Sequence, residues 1–240
     1  MMSRTEPEDR TSADTDRVSH GDAVRKLIKE HYDRGDPTGW FEALYAWAGG
    51  DAARIPWAEK RPNRNLVSWL QREQVRGGGR RAIVVGCGLG DDAQLLVRHG
   101  FKVTAFDLSP TAIEWCRRRF GPSSIDFRQA DLLQLPPEWI GAFDFVFEAY
   151  TVQALPMSLR GRAIDAIGSL VKPGGELLVI CRGRDESEEA PELPWPLTPS
   201  EVARWDSLGL RRMAFEDYWD DETPPVRRFR VLFRRPLEGG

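Results

Sequence analysis

The sequence predicts an α/β protein: a seven-stranded, mostly parallel sheet with an antiparallel C-terminal strand, helices on both faces and a helical segment before the sheet. Two observations predict it. Short apolar runs such as residues 82–85 and 143–149 are typical of parallel strands buried on both faces. The last two strand-like runs, residues 210–218 and 228–235, are joined by a Pro-containing connection too short for a crossover helix, which indicates a hairpin.

Strands and helices alternate along the rest of the chain. Helices are predicted directly after the first strand, from Pro110 with Ser109 as its N-cap, and over residues 157–171. Residues 172–175 (KPGG) predict a tight turn into the fifth strand. The seven predicted strands span residues 82–85, 101–107, 125–130, 143–149, 176–181, 210–218 and 228–235.

The first strand runs into a glycine-rich loop. Gly86, Gly88 and Gly90 alternate with Cys87 and Leu89, so a ligand can lie against bare backbone. A dinucleotide loop needs a further glycine at position 91, which here is aspartate and is followed by a second aspartate. Two carboxylates at a helix N-terminus repel a pyrophosphate. The loop therefore favours a nucleoside cofactor with positive charge and no phosphate, such as S-adenosylmethionine; a purely structural turn is the alternative.

Two acidic residues follow the second and third strands. Asp107 ends the second strand, where a carboxylate can accept both hydroxyls of a ribose. That position serves NAD and S-adenosylmethionine equally. Asp131 and Leu132 follow the third strand, where the acid can accept from an adenine amine and the leucine can cover the ring; a turn-capping role for Asp131 is the alternative.

The fourth and fifth strands bring further polar side chains to the same edge of the sheet. Glu148, Tyr150 and Gln153 follow the fourth strand, and ligands of open α/β sheets bind at the carboxyl ends of strands. Glu148 and Tyr150 are the candidate catalytic residues, although Glu148 can instead bind a ligand ammonium or cap the next helix. Arg182 follows the fifth strand and can recognise a carboxylate or thiolate, with solvent exposure as the alternative.

Five motifs in this order resemble the class I S-adenosylmethionine-dependent methyltransferases, which have a Rossmann-like fold. They are VVGCGLG, AFDLS, QADLLQL, FDFVFEA and LVKPGGELLVI, and the resemblance covers about residues 80–235. It implies S-adenosylmethionine as cofactor and S-adenosylhomocysteine as product. By position it implies Gly86, Gly88 and Gly90 at the methionine part, Asp107 at the ribose, and Asp131 with Leu132 at the adenine. The candidate cofactor contacts also include Cys87, Leu108 and Glu148.

A narrower resemblance precedes the glycine loop. Trp40 and the pair Pro56-Trp57 resemble the N-terminal lid of the thiopurine and thiol methyltransferase-like subgroup, but EAYTVQALP lacks the Asp-Arg-Gly pattern of the thiopurine enzymes. Together with Trp195 in a Pro-rich loop, these rings can enclose a planar acceptor, or they can simply pack the lid. The expected organisation is a disordered polar tail over residues 1–21, a helical lid over 22–79 and a cofactor-binding core over 80–240, forming one domain.

Composition limits the partners. With 34 basic and 37 acidic side chains the net charge is −3, so a nucleic-acid partner is not expected. No stretch is long and apolar enough for a membrane span, and the three cysteines have neither disulfide nor metal-ligand spacing. We expect a cytoplasmic protein with a small-molecule acceptor and no metal; the sequence does not fix its oligomeric state.

Methyl transfer mainly requires alignment of the nucleophile behind the methyl group. Of three histidines, only His31 is a candidate base, because His20 lies in the predicted tail and His99 at the far end of the first sheet helix. The sequence therefore favours acceptors that ionise easily, such as thiols. The alternatives are O- or N-methylation of a small molecule, a cofactor-binding protein without turnover, and an NAD-dependent dehydrogenase, which Asp91 and the final hairpin disfavour.

Overall fold

The sheet has seven strands in the order β3-β2-β1-β4-β5-β7-β6. The computed structural model describes residues 11–122, 124–189 and 193–237, with only the backbone for residues 11–20. The strands are β1 Arg81–Val85, β2 Lys102–Asp107, β3 Ile125–Gln129, β4 Phe143–Ala149, β5 Val171–Arg182, β6 Arg211–Trp219 and β7 Arg227–Arg234. The helices are α1 Thr11–Asp33, α2 Trp40–Ala48, α3 Arg64–Arg72, α4 Asp91–Arg98, α5 Pro110–Phe120, α6 Met157–Ser169 and α7 Pro199–Ser207.

The mixed sheet confirms the predicted fold class. Strands β1 to β5 pair in parallel, whereas β7 is antiparallel to both β5 and β6. The predicted turn at residues 172–175 is instead part of β5, which begins at Val171. Val171 pairs with Phe143, and Glu176 pairs with Phe145. Residues 172–175 therefore lie in an irregular part of β5, where the register shifts against β4, and not in a separate turn.

Helices cover both faces of the sheet. On one face α3, α4 and α5 pack into a single apolar cluster with alternate residues of β1, β2, β4 and β5. Leu232 of β7 packs against the first cluster, so the next residue, Phe233, points to the other face. There its ring centroid lies 5.7 Å from that of Trp205 in α7. The indole of Trp205 also donates to Ile164 O of α6. Helices therefore cover the sheet on both faces.

Helix α7 is absent from the sequence prediction, although it carries a local signal. Thr198 accepts from the backbone of Glu201, and the Glu201 carboxylate accepts from the backbone of Thr198, at 3.2 and 2.9 Å. A Ser or Thr three residues before a Glu is the sequence signature of such a capping box. The Pro-rich composition of the preceding loop obscured that pattern.

The chain forms two compact units, Met1–Pro56 and Trp57–Gly240. Residues 57–79 of the expected lid, including α3, therefore belong to the same unit as the sheet. In the first unit, α1 covers residues 11–20 of the tail that composition predicts to be disordered, while residues 1–10 lie outside the described residues. Ion pairs one turn apart, such as Lys29 with Asp33 at 2.6 Å, support the end of α1, from which a helix can propagate.

None of the helices in the described ranges has the length and apolar character needed to cross a bilayer.

Candidate functional site

The glycine loop between β1 and α4 is held tightly by its own chain. Gly86 has φ +56°, and a Cβ there would lie 2.5 Å from Thr151 Oγ1. A Cβ on Gly90 would lie 2.9 Å from the ring of Phe120. These two glycines are therefore required by packing within the protein. Gly88, with φ +52°, turns its backbone N–H toward the next strand.

Asp107 links the glycine loop to helix α5. One carboxylate oxygen accepts from Gly88 N at 2.9 Å and the other from Ser109 N at 3.0 Å. Ser109 in turn caps α5 by accepting from Ala112 N at 2.9 Å, as predicted. The Asp107 side chain is buried at the carboxyl end of β2. Because a carboxylate has about four lone-pair sites, these two bonds are compatible with further acceptance from ligand hydroxyls.

Cys87 contributes packing and not a reactive thiolate. The Cys116 thiol of α5 donates to Gly88 O at 3.1 Å, beneath the same loop. The hydrogen bond with Cys116 and burial raise the pKa of the Cys87 thiol well above its usual value. A thiol that stays protonated is a poor nucleophile. The Cys116 thiol therefore helps to hold the loop in place.

The acidic start of α4 differs from its predicted role. Asp91 forms two bonds with the guanidinium of Arg119, at 2.8 and 2.9 Å. Asp92 accepts from Asn63 N at 2.7 Å, and burial raises its pKa to about 7. Asp91 is thus neutralised by its own chain, and Asp92 is protonated in part at neutral pH. The acidic pair therefore presents less negative charge to a ligand than the sequence implies. Arg119 is 28 residues from Asp91, so local sequence patterns do not show this pairing.

Asp131 and Leu132 lie at the carboxyl end of β3, beside Asp107. Ala130 N donates to Asp107 O at 3.0 Å, which fixes the two strand ends to each other. Asp131 accepts from Leu133 N at 2.8 Å and from the amide of Gln134 at 3.3 Å. Asp131 therefore caps a short 3-10 helix, the alternative considered from sequence. An adenine contact for Asp131 and for the buried Leu132 stays a prediction.

Glu148 is a fully buried carboxyl group at the end of β4, paired in register with Val85 of β1. Its Oε1 accepts from Thr151 N at 2.8 Å and Val152 N at 3.0 Å, so it orders the loop after β4. Its Oε2 is buried and has no hydrogen-bond partner in the described part of the chain. Burial raises the pKa of Glu148 to about 7 despite the two backbone bonds. A buried oxygen without a partner at this edge fits a cationic ligand group.

The raised pKa of Glu148 makes a stability prediction. In the ligand-free protein the folded state holds this proton up to about pH 7, whereas the unfolded chain releases it near pH 4.5. Its stabilising contribution is therefore complete below pH 4.5 and is lost as pH rises through 7, by about 3 kcal/mol. We expect Glu148→Gln to remove the Glu148 share of the decline between pH 5 and 8 in urea unfolding, about 3 kcal/mol, and to leave the share of Asp92, whose pKa burial also raises to about 7. The exposed control Glu138→Gln should decline as wild type does; parallel curves for all three proteins would contradict the prediction.

Tyr150 belongs to a polar network that the sequence did not reveal. Its hydroxyl accepts from the Asn65 amide of α3 at 3.3 Å, and Tyr218 of β6 donates to the Asn65 carbonyl oxygen at 2.7 Å. Arg228 lies 5.1 Å from the Tyr150 ring centroid. Burial raises the pKa of Tyr150, and its φ is +67°, an uncommon value for tyrosine. Asn65 and Tyr218 are 85 and 68 residues from Tyr150 in sequence, which is why no local pattern identified them.

Two candidate acceptor contacts of the second unit, Arg182 and Trp195, are connected to the loop after β4. Arg182 ends β5, and its backbone N–H donates to Gln153 Oε1 at 2.7 Å. Trp195 N donates to Gln153 O at 2.9 Å, while its carbonyl accepts from the buried Arg160 at 2.8 Å. Gln153 therefore connects the loop after β4 with both residues. Trp57 is 40% exposed, and its role stays a prediction.

Trp40 and His31 belong to the first unit. Trp40 is buried; its indole donates to Pro37 O at 3.2 Å and stacks on Phe41 with ring centroids 3.9 Å apart. His31 lies 3.1 Å from Asp36. A substrate contact by Trp40 stays a prediction. In the second unit, His99 follows the C-terminal end of α4 and contacts Val75 O at 3.1 Å.

Comparison with known proteins agrees with this geometry. A family model described as a methyltransferase domain matches residues 82–175, from β1 into β5. A solved N-methyltransferase from Bradyrhizobium japonicum, in complex with S-adenosylhomocysteine, has a TM-score of 0.63 at 22% identity. That likeness covers 80% of this chain and 98% of the other, and it shows a shared fold.

Two curated relatives have names that describe methylation of different atoms, oxygen in one and sulfur in the other. The chain is 32% identical over 148 residues to a ubiquinone biosynthesis O-methyltransferase of Azotobacter vinelandii, covering 60% of this chain. It spans 62% of that relative's length. A probable thiol methyltransferase of Arabidopsis thaliana is 26% identical over 190 residues, covering 78% of this chain and 77% of the relative.

Proposed function

We propose that this chain, which belongs to the class I S-adenosylmethionine-dependent methyltransferases, transfers a methyl group to the sulfur atom of a small-molecule thiol. Bound S-adenosylmethionine supplies an electrophilic methyl group on a sulfonium. The protein therefore has to bind and orient the acceptor. It also has to deprotonate the acceptor, unless it selects one that ionises without a base. The observation that carries the proposal is the lack of a suitable general base among the described residues at the carboxyl edge of the second unit.

The residues at this edge fit the cofactor. The unpartnered Oε2 of Glu148 suits the ammonium of the methionine part, because a cation compensates a buried carboxylate. Asp107 suits the ribose hydroxyls, and the bare backbone at Gly88 suits close approach. We assign Asp131 and Leu132 to the adenine.

With Glu148 engaged by the cofactor, the other candidates in the second unit are poor bases. Asp92 has a pKa of about 7, but its carboxylate is held in the first turn of α4 by the backbone N–H of Asn63 at 2.7 Å. The Tyr150 phenol is held by Asn65, and its raised pKa keeps it protonated. His99 is the only histidine among residues 57–240, and it follows the eight residues of α4, about 12 Å along the helix from the glycine loop. An acceptor that ionises by itself needs no base, and a thiol with a pKa near 8.5 is a few per cent ionised at neutral pH.

The relative described as a thiol methyltransferase supports this choice, since the similarity covers 78% of the chain and so extends beyond the cofactor-binding core. The O-methyltransferase similarity is higher in identity but covers 60% of the chain. A phenolic acceptor is therefore the second candidate. A phenol ionises near pH 10 and has more need of a base.

The test is a pH profile of S-adenosylhomocysteine formation at saturating S-adenosylmethionine, with three thiols of different pKa and a matched phenol. We expect kcat/KM for each thiol to rise with pH up to that thiol's own pKa, and we expect slower turnover of the phenol at pH 7. One pKa common to all thiols would indicate an enzymic base and contradict the argument. Turnover of the phenol alone would favour the second candidate, and no product from any of them would refute both.

A further inference from the structure

Among the described side chains, Arg182 combines two properties: its guanidinium has no partner, and it is half-buried. In residues 21–122, 124–189 and 193–237, the guanidinium groups without a hydrogen bond, ion pair or ring contact are those of Arg98, Arg162, Arg182 and Arg211. Three of them are exposed, as expected for arginine. Arg182 is half-buried. Partial removal of a charge from water without a counter-charge is unfavourable, so this position needs an explanation.

The register of the sheet places Arg182 at the candidate site. Arg182 is directly opposite Arg228 of β7, and opposite residues of an antiparallel pair project to the same face. Arg228 lies over the ring of Tyr150, which fixes that face. The backbone N–H of Arg182 is held by Gln153 of the loop after β4. Arg182 is therefore at the carboxyl edge, on the side that carries Tyr150.

The neighbouring arginines are neutralised within the chain. Buried Arg228 pairs with Asp220 at 2.6 Å and Glu222 at 2.7 Å. Arg230, opposite Ile180, forms two bonds with Glu216 at 2.6 and 2.9 Å. Like charges directly opposite in a sheet are unfavourable, and these pairings remove the repulsion from Arg228 but leave the charge of Arg182 uncompensated. An anionic ligand would supply the missing charge.

We propose that Arg182 binds a carboxylate of the methyl acceptor, so that the substrate class is a small thiol that also carries a carboxylate. This inference rests on the proposed function, because it concerns the same site. A guanidinium presents parallel N–H groups that match the two oxygens of a carboxylate. The carboxylate would orient the acceptor at the edge where Glu148 and Asp107 bind the cofactor.

The first experiment compares kcat/KM for benzenethiol and 4-mercaptobenzoate in wild type, Arg182→Met, Arg182→Lys and Arg162→Met. Arg162 is an exposed arginine of α6 without a partner and serves as the matched control. We expect wild type to prefer the carboxylated thiol, and Arg182→Met to reduce the ratio of the two values about 10- to 100-fold, as the loss of charge-assisted hydrogen bonds predicts. Arg182→Lys should retain part of the preference, and Arg162→Met all of it.

A second experiment does not require turnover. Isothermal titration of the S-adenosylhomocysteine complex with 4-(methylthio)benzoate should detect binding to wild type and Arg162→Met, and much weaker binding to Arg182→Met. This result without methylation of any thiol would refute the proposed reaction while supporting the carboxylate site. Equal ratios and equal binding in wild type and Arg182→Met would refute the role of Arg182. A melting temperature of Arg182→Met close to that of wild type excludes misfolding. If Arg182→Met does not fold, Arg182→Lys takes its place in both experiments.

Discussion

Replacement of Asp107 by alanine should weaken binding of S-adenosylhomocysteine by at least about 100-fold. Two ribose hydroxyls would lose charge-assisted hydrogen bonds, each corresponding to about a tenfold change in affinity or more. The same change leaves Gly88 N and Ser109 N without their acceptor, so the glycine loop and the start of α5 lose their connection. We therefore expect a lower melting temperature as well, which calorimetry and thermal unfolding can measure separately.

Two further variants make the result specific. Asp107→Asn keeps the shape and one carbonyl acceptor, so we expect it to fold more stably than the alanine variant while still binding weakly. Asp126→Ala removes an exposed aspartate of the neighbouring strand β3, whose partner is Arg128. It should bind with wild-type affinity. Unchanged affinity in Asp107→Ala would contradict the ribose assignment.

Gly86→Ala should be the most destabilising single methyl addition in the glycine loop and should abolish cofactor binding. Gly78 offers a matched control, because it has the same φ of +56° but no heavy atom within 4 Å of an added Cβ. We expect Gly78→Ala to cost about 1 kcal/mol, the conformational penalty alone. Gly86→Ala should cost about 1–3 kcal/mol more, because its Cβ overlaps Thr151 Oγ1.

A double mutant tests that overlap. Thr151→Ala removes Oγ1 and Cγ2, which lie 2.5 and 3.0 Å from the added Cβ, and the nearest remaining atom is Thr151 Cβ at 3.3 Å. By itself it should cost about 1 kcal/mol, through loss of the hydrogen bond to Val85 O. Combined with Gly86→Ala it should recover part of the lost stability in urea unfolding. Strictly additive costs would show that the strain has another source.

The parts of the molecule that sequence predicted are those with local signals. Apolar runs located β1 and β4, and the hairpin connection identified β7 as the antiparallel strand. The apolar run that predicts β2 ends at Asp107, so the sequence also predicts the position of this residue at the strand end. The role of Asp91 depends on its ion pair with Arg119. The role of Tyr150 depends on Asn65, which also accepts from Tyr218. These residues come into contact only when the chain folds. Charge balance between distant residues has no periodicity, so sequence patterns could not reveal it.

The most direct test of cofactor binding at this site is isothermal titration of wild type and Asp107→Ala with S-adenosylmethionine, S-adenosylhomocysteine and NAD. We expect micromolar binding of the first two ligands to wild type, strongly reduced binding to the variant, and no binding of NAD to either protein. Binding of NAD, equal affinity of both proteins for S-adenosylhomocysteine, or no binding of S-adenosylmethionine to wild type would contradict this prediction.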